Sequence, residues 1–253
     1  MDKIIKPDES SGLTLNKGKL RSTQTSFQQR VSQAKREEID PSTMPNRLCL
    51  MLDKSSSMSA EESTKQGSKK RIDLLKEALQ NFVSRCNLAD TAIAIETFPE
   101  GFSLPLTSNA MMLGTSVFAF DASGNTPMRR CVKSSLLKIP MTRAIIVSDG
   151  EATDWPSPYG YNDLTDEKIS TNDALLAQYK EQGIPIDCVH ISQDSAGEEL
   201  LRRIARETGG IFIKFTDVSA FSQAFGYLSP GYRAMLTDGR VDARELGAKE
   251  VRR

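Results

Sequence analysis

The chain has 253 residues, room for one large domain or one domain with extensions. Lys+Arg and Asp+Glu both number 33, so no global charge points to nucleic acid or a membrane surface as a partner. No run of about 18 apolar residues occurs, so no transmembrane helix is expected.

The start, Met1-Asp2-Lys3-Ile4-Ile5-Lys6-Pro7, lacks the apolar segment of a secretory signal. Cys49, Cys86, Cys131 and Cys188 all fall inside apolar stretches, with no C-x-x-C pair and a single His in the chain. Reduced core thiols and a cytoplasmic location are expected, rather than a disulfide framework or a zinc site.

Residues 1–45 are polar and poor in aromatics, a predicted N-terminal extension. Phe27, Val31 and Ala34 recur at helical spacing, which allows a short amphipathic helix near 25–38; a flexible arm is the alternative that the composition favours. Pro41 and Pro45 mark the boundary before a folded domain over 46–236. Leu48-Cys49-Leu50-Met51-Leu52 is a continuous apolar run ending at Asp53, as expected of a strand covered on both faces. After a polar loop, Ile72, Leu75, Leu79, Phe82, Val83 and Cys86 trace one face of a helix.

Residues 91–98 read as a second strand, and Val117–Phe120 as a short edge strand. Thr126 can cap a helix that begins at Pro127 and carries Met128, Cys131, Val132 and Leu136 toward the core. Ala144-Ile145-Ile146-Val147 is the next buried strand, ending at Asp149-Gly150. A helix near 172–182, a strand at 186–191, a helix near 197–208 and a strand at 211–215 follow, with Gly183 and Gly209 closing the helices. Phe221 and Phe225 anchor a last helix, and the charged tail 237–253 is expected to fray.

Such alternation predicts an α/β fold, a Rossmann-like, mostly parallel sheet with helices on both faces. In the common strand order 3-2-1-4-5-6 the first and fourth strands are neighbours, and a crevice opens at their carboxyl ends. Asp53 and Asp149 follow those two strands. Asp53, with Ser55 and Ser57 just after it, is therefore brought to the same place as Asp149, and Thr126 of the Gly124-Asn125-Thr126-Pro127 segment is a fifth oxygen-bearing candidate. Carboxylates and hydroxyls without Cys or His suit a hard cation, Mg²⁺ first, with Mn²⁺ or Ca²⁺ as substitutes. Each residue has a plainer reading as well, Thr126 as a helix cap and the two Asp as the polar ends of buried strands.

The pattern D-x-S-x-S, a later Thr and an Asp after a central strand resemble the metal-ion-dependent adhesion site of von Willebrand factor type A (vWA) domains. The likeness spans roughly residues 46–230. It implies one Mg²⁺ at the carboxyl edge of the sheet, with the hydroxyls of Ser55 and Ser57 as direct ligands and Thr126 direct in one state and water-bridged in another. Asp53 and Asp149 would act through water or as acceptors behind the hydroxyls. Ser56 and Asn125 stand where many members have Gly, which bears on loop backbone geometry.

Neutral hydroxyls leave the charge of such an ion under-compensated, so an Asp or Glu from another molecule is attracted to it. The function expected is a Mg²⁺-dependent, non-enzymatic interaction module, an adaptor or assembly subunit. By resemblance to cytosolic bacterial members, an AAA+ ATPase is among the expected partners. Trp155, Tyr159 and Tyr161 in the segment after Asp149 are candidate partner contacts, with packing on their own domain as the alternative. Glu61 and Glu62, in a polar loop over 59–70, are candidates for the ion's open position in the free protein, with solvated charge as the alternative.

The rival class is a Mg²⁺-dependent phosphoryl-transfer hydrolase on a Rossmann-like sheet. Haloacid-dehalogenase-like phosphatases need a second Asp two residues after the first, and that position here is Ser55. No P-loop occurs, and Ser135-Leu136-Leu137-Lys138 matches S-x-x-K without its companion motifs. His190, inside a predicted strand and without a second His, reads as structural.

Overall fold

The structure is a computed structural model that describes residues 39–64, 67–150, 152–155, 173–192, 197–215, 225, 228–230 and 248–252. The stretch 25–38, Phe221, Tyr159 and Tyr161 lie outside the described residues.

The strands are β1 (Asn46–Asp53), β2 (Glu61–Thr64), β3 (Gly67–Lys70), β4 (Thr91–Phe98) and β5 (Ser103–Thr107), then β6 (Arg143–Ser148), β7 (Ile186–His190), β8 (Phe212–Phe215) and β9 (Ala248–Arg252). The helices are α1 (Arg71–Arg85), α2 (Ala110–Ser116), α3 (Met128–Lys138), α4 (Ala174–Glu181) and α5 (Glu198–Thr208). Seven strands form one sheet in the order β5-β4-β1-β6-β7-β8-β9. The inner pairings β4–β1, β1–β6, β6–β7 and β7–β8 are parallel, and β5 and β9 close the two edges antiparallel.

Strand β1 shows why its apolar run is unbroken. Leu48, Leu50 and Leu52 point into one layer, against Ile72, Leu75, Leu79 and Phe82 of α1. Cys49 and Met51 point into the other, against Met128 and Val132 of α3, Leu176 and Tyr179 of α4, and Ile204 of α5. Alternate side chains leave opposite sides of a strand, so covering both faces requires apolar residues at every position. The first layer is closed by Phe225, whose ring centroid lies 5.0 Å from that of Phe82. All four cysteines are free, and burial pushes the Cys86 and Cys131 thiols up to about 12, far from the thiolate a nucleophile needs.

Three expectations are corrected. The third strand of the sheet is β5, not Val117–Phe120, which follow α2 in a turn with Val117 and Phe120 buried. Pro105 interrupts the β5 pattern, and such a strand is tolerated because it lies at the sheet edge. Within the polar segment 59–70, Glu61–Thr64 and Gly67–Lys70 pair antiparallel as β2 and β3 instead of forming an open loop. Part of the charged tail pairs as β9 along β8, with Val251 opposite Ile213. An edge recruits a strand through its unpaired backbone groups, which composition does not record. Among the described residues no helix is long and apolar enough to cross a membrane.

Candidate metal centre

Strand β1 ends at Asp53 and β6 at Ser148, side by side in the parallel sheet. Asp53 is fully buried and both its oxygens are used: Oδ1 accepts from the Ser55 amide at 2.8 Å, and Oδ2 from the Ser148 hydroxyl. Burial, against the pull of those donors and with added repulsion from Asp149, raises the Asp53 carboxyl to about 6. The bond from the Ser55 amide turns the chain sharply, so the hydroxyls of Ser55 and Ser57 come within 2.9 Å of each other. The Ser57 hydroxyl then donates to Asp149 Oδ1 at 2.9 Å. Ser55 and Asp149 are buried and Ser57 between them is exposed, so the middle of this line of oxygens opens to the surface.

Thr126 arrives on a separate loop pinned from both sides. The Ser56 amide donates to the Gly124 carbonyl at 2.9 Å, and the Thr153 amide to the Thr126 carbonyl at 2.9 Å. Among the described residues the Thr126 hydroxyl makes no hydrogen bond, although the residue is only 7 % exposed. Helix α3 does not use it as a cap: Pro127 holds the cap position, and the first turn is served by Asp154, whose carboxylate accepts from the Arg129 and Arg130 amides at 2.9 and 2.8 Å. Gly124 has φ +78°, and a Cβ there would sit 2.9 Å from Pro99 Cγ, so glycine is required at that position. No non-glycine residue described has a positive φ, so Ser56 and Asn125 stand in their loops without backbone strain.

The donor set fits a small hard cation. Neighbouring oxygens of an octahedron with bonds of about 2.1 Å lie about 3 Å apart, close to the 2.9 Å spacings of Ser55 to Ser57 and of Ser57 to Asp149. No group of three or more His, Cys, Asp or Glu gathers among the described residues, so a cation held here would rest on hydroxyls. A cleft of about 280 Å³ elsewhere, lined by Glu96, Glu100, Cys131, Ser134 and Lys138 among others, includes none of these five residues.

Two further contributors escaped the sequence reading. Ser148 was visible only as the residue before Asp149, and its role depends on the register of β1 against β6. Arg71, the first residue of α1, donates from Nη1 to Asp149 Oδ2 at 2.7 Å and from Nε to Glu62 Oε1 at 2.7 Å. Glu62 is thus buried in an ion pair on the hairpin, while the exposed Glu61 accepts from the Ser68 hydroxyl. Trp155 packs on its own domain: it is 4 % exposed, its Nε1 donates to Asp173 at 2.9 Å, and the Arg129 guanidinium lies over its ring. His190 is fully buried in β7, opposite Ser148.

No family model matches the chain, and no curated protein matches its sequence. Solved structures do match. BatB, a conserved hypothetical protein from Bacteroides thetaiotaomicron, is similar over 76% of this chain and 99% of its own, at 13% identity and a TM-score of 0.56. The vWF domain of the type V pili tip protein Mfa5 from Porphyromonas gingivalis matches 79% of this chain and 97% of its own, at 13% identity and a TM-score of 0.54. The pilus adhesin SpaC from Lactobacillus rhamnosus GG matches 78% of this chain but only 31% of its own, at 14% identity and a TM-score of 0.53. Identities this low speak to the fold, and the fold is that of the von Willebrand factor type A domain.

Proposed function

We propose that the chain is a Mg²⁺-dependent protein-interaction module, an adaptor or assembly subunit, whose centre captures an Asp or Glu carboxylate of a partner. The observation that carries this reading is the run of oxygens Ser55–Ser57–Asp149 at the carboxyl ends of two neighbouring parallel strands. Ser55, Ser57 and Thr126 would hold the ion, with Asp149 behind Ser57, while Asp53 orients Ser55 through its amide. A bound Mg²⁺ supplies an electrophilic position that a carboxylate can fill. The residues of the chain then supply little negative charge directly to the ion, which preserves its attraction for an incoming anion.

The vWA fold of adhesion and pilus proteins supports a role in protein interaction. An AAA+ ATPase and a cytoplasmic setting are the partner class and location implied by the resemblance to cytosolic bacterial members. A hydrolase reading finds no support in the site: Asp53 is fully hydrogen-bonded, and the position of a second acid is the hydroxyl of Ser55.

The test is capture of a candidate AAA+ partner by the full chain in Mg²⁺, in EDTA, and with Asp53→Ala. Binding lost in EDTA and in the variant is expected; equal binding in all three arms would overturn the metal-bridged reading.

A further inference from the structure

Arg71 opens α1, where the helix dipole is positive and a cation is disfavoured. No side chain caps that end. The side chain is nevertheless only 17% exposed, its guanidinium clasped between Asp149 and Glu62. A residue that breaks a local rule in this way serves something other than its own helix.

The arrangement divides Asp149 between two demands. Oδ1 takes the hydroxyl of Ser57, and Oδ2 takes Arg71. Two carboxylates, Asp149 and Glu62, flank one guanidinium, and Asp149 also repels the buried Asp53. We propose that Arg71 is a resident counter-cation of this centre, setting a weak affinity for the divalent ion, with Glu62 on the β2–β3 hairpin moderating its charge. This rests on the metal reading above.

The consequence is a pair of opposite signs. Replacing Arg71 by a neutral side chain frees Asp149 Oδ2 and leaves the centre one charge more negative, so a cation binds more tightly. Replacing Glu62 by Gln removes a negative charge and commits Arg71 to Asp149, so a cation binds more weakly. A mere brace between hairpin and domain predicts otherwise: both variants would loosen the site and weaken binding together.

The experiment titrates Mn²⁺ alone into the full-length wild type, Arg71→Gln and Glu62→Gln by calorimetry at low ionic strength. Circular dichroism in EDTA checks that each variant is folded. Arg71→Gln is expected to tighten Mn²⁺ roughly tenfold and Glu62→Gln to weaken it several-fold, the scale of one partly screened charge within a few ångströms. Unchanged or weaker binding by a folded Arg71→Gln overturns the inference. Should that variant not fold, Arg71→Met is titrated in its place, and unchanged or weaker binding there overturns the inference. Wild type that takes up no Mn²⁺ defeats the metal reading itself, and this inference with it.

Discussion

Ser148 donates its hydroxyl hydrogen bond to Oδ2 of Asp53, a residue 95 positions earlier in the chain. The two close the ends of β6 and β1, and the bond exists because those strands are neighbours in parallel register. It fixes one oxygen of a buried carboxylate so that the other can hold the Ser55 amide. Ser148→Ala removes that donor and leaves Oδ2 buried without it. A loss of about 1–3 kcal/mol is expected by denaturant titration in EDTA, the scale of an unmet buried acceptor. An unchanged midpoint and slope would show that Asp53 is oriented without Ser148.

Gly124 sets the position of the Thr126 loop. Its φ of +78° and the closeness of Pro99 leave no place for a methyl group. Gly124→Ala is expected to cost about 1–3 kcal/mol by strain and displacement of the loop. Under the proposed function it also weakens Mn²⁺ uptake, because the Thr126 hydroxyl moves with the loop. Full stability in a thermal melt would refute the strain argument.

Asp154 joins the segment after β6 to the start of α3 through two backbone amides. Asp154→Ala is expected to destabilise the fold by about 0.5–2 kcal/mol, as for loss of a helix cap. Trp155 beside it is the chain's single Trp and is buried. Intrinsic fluorescence should therefore be blue-shifted and poorly quenched by acrylamide in the wild type, and become quenchable where the cap is lost. Emission typical of exposed indole in the wild type would contradict this packing.

Glu198 opens α5 and is held by Lys214 and Arg202. Burial works against its ionisation, but hydrogen bonds and charge from Lys214 and Arg202 prevail and lower it to about 2. A carboxyl lowered in the folded state contributes stability above its unfolded value of about 4.3 and loses it as pH falls through the folded value. Wild type is expected to exceed Glu198→Gln by about 1–2 kcal/mol at pH 7, after discounting for solvent screening. The gap should narrow between about pH 5 and pH 2 in parallel urea titrations. A gap independent of pH would assign the effect to packing.

Legibility followed the range of each signal. The runs at 48–52, 91–98, 144–147 and 186–191 announced strands because both faces of the sheet are covered, and the structure has β1, β4, β6 and β7 there. Helices α4 and α5 were readable from the glycines that end them, Gly183 and Gly209. Strand β5 was not, since Pro105 reads as a breaker and only its place at the edge makes it acceptable. The β2–β3 hairpin and β9 are polar, and backbone pairing makes them strands.

Side-chain chemistry in the motif named Asp53, Ser55, Ser57, Thr126 and Asp149 as one candidate group, because the identity of a donor atom is written in the residue type. Sequence order also placed Asp53 and Asp149 at strand ends, since periodicity is local. Which groups back them is a matter of register and packing. Ser148 reaches Asp53 only through strand pairing, and Arg71 reaches Asp149 only because α1 starts beside the end of β6. Trp155 reads alike whether buried or exposed, and its surroundings alone decided that it faces the core. Such contacts join residues far apart in the chain, and no local pattern carries that distance.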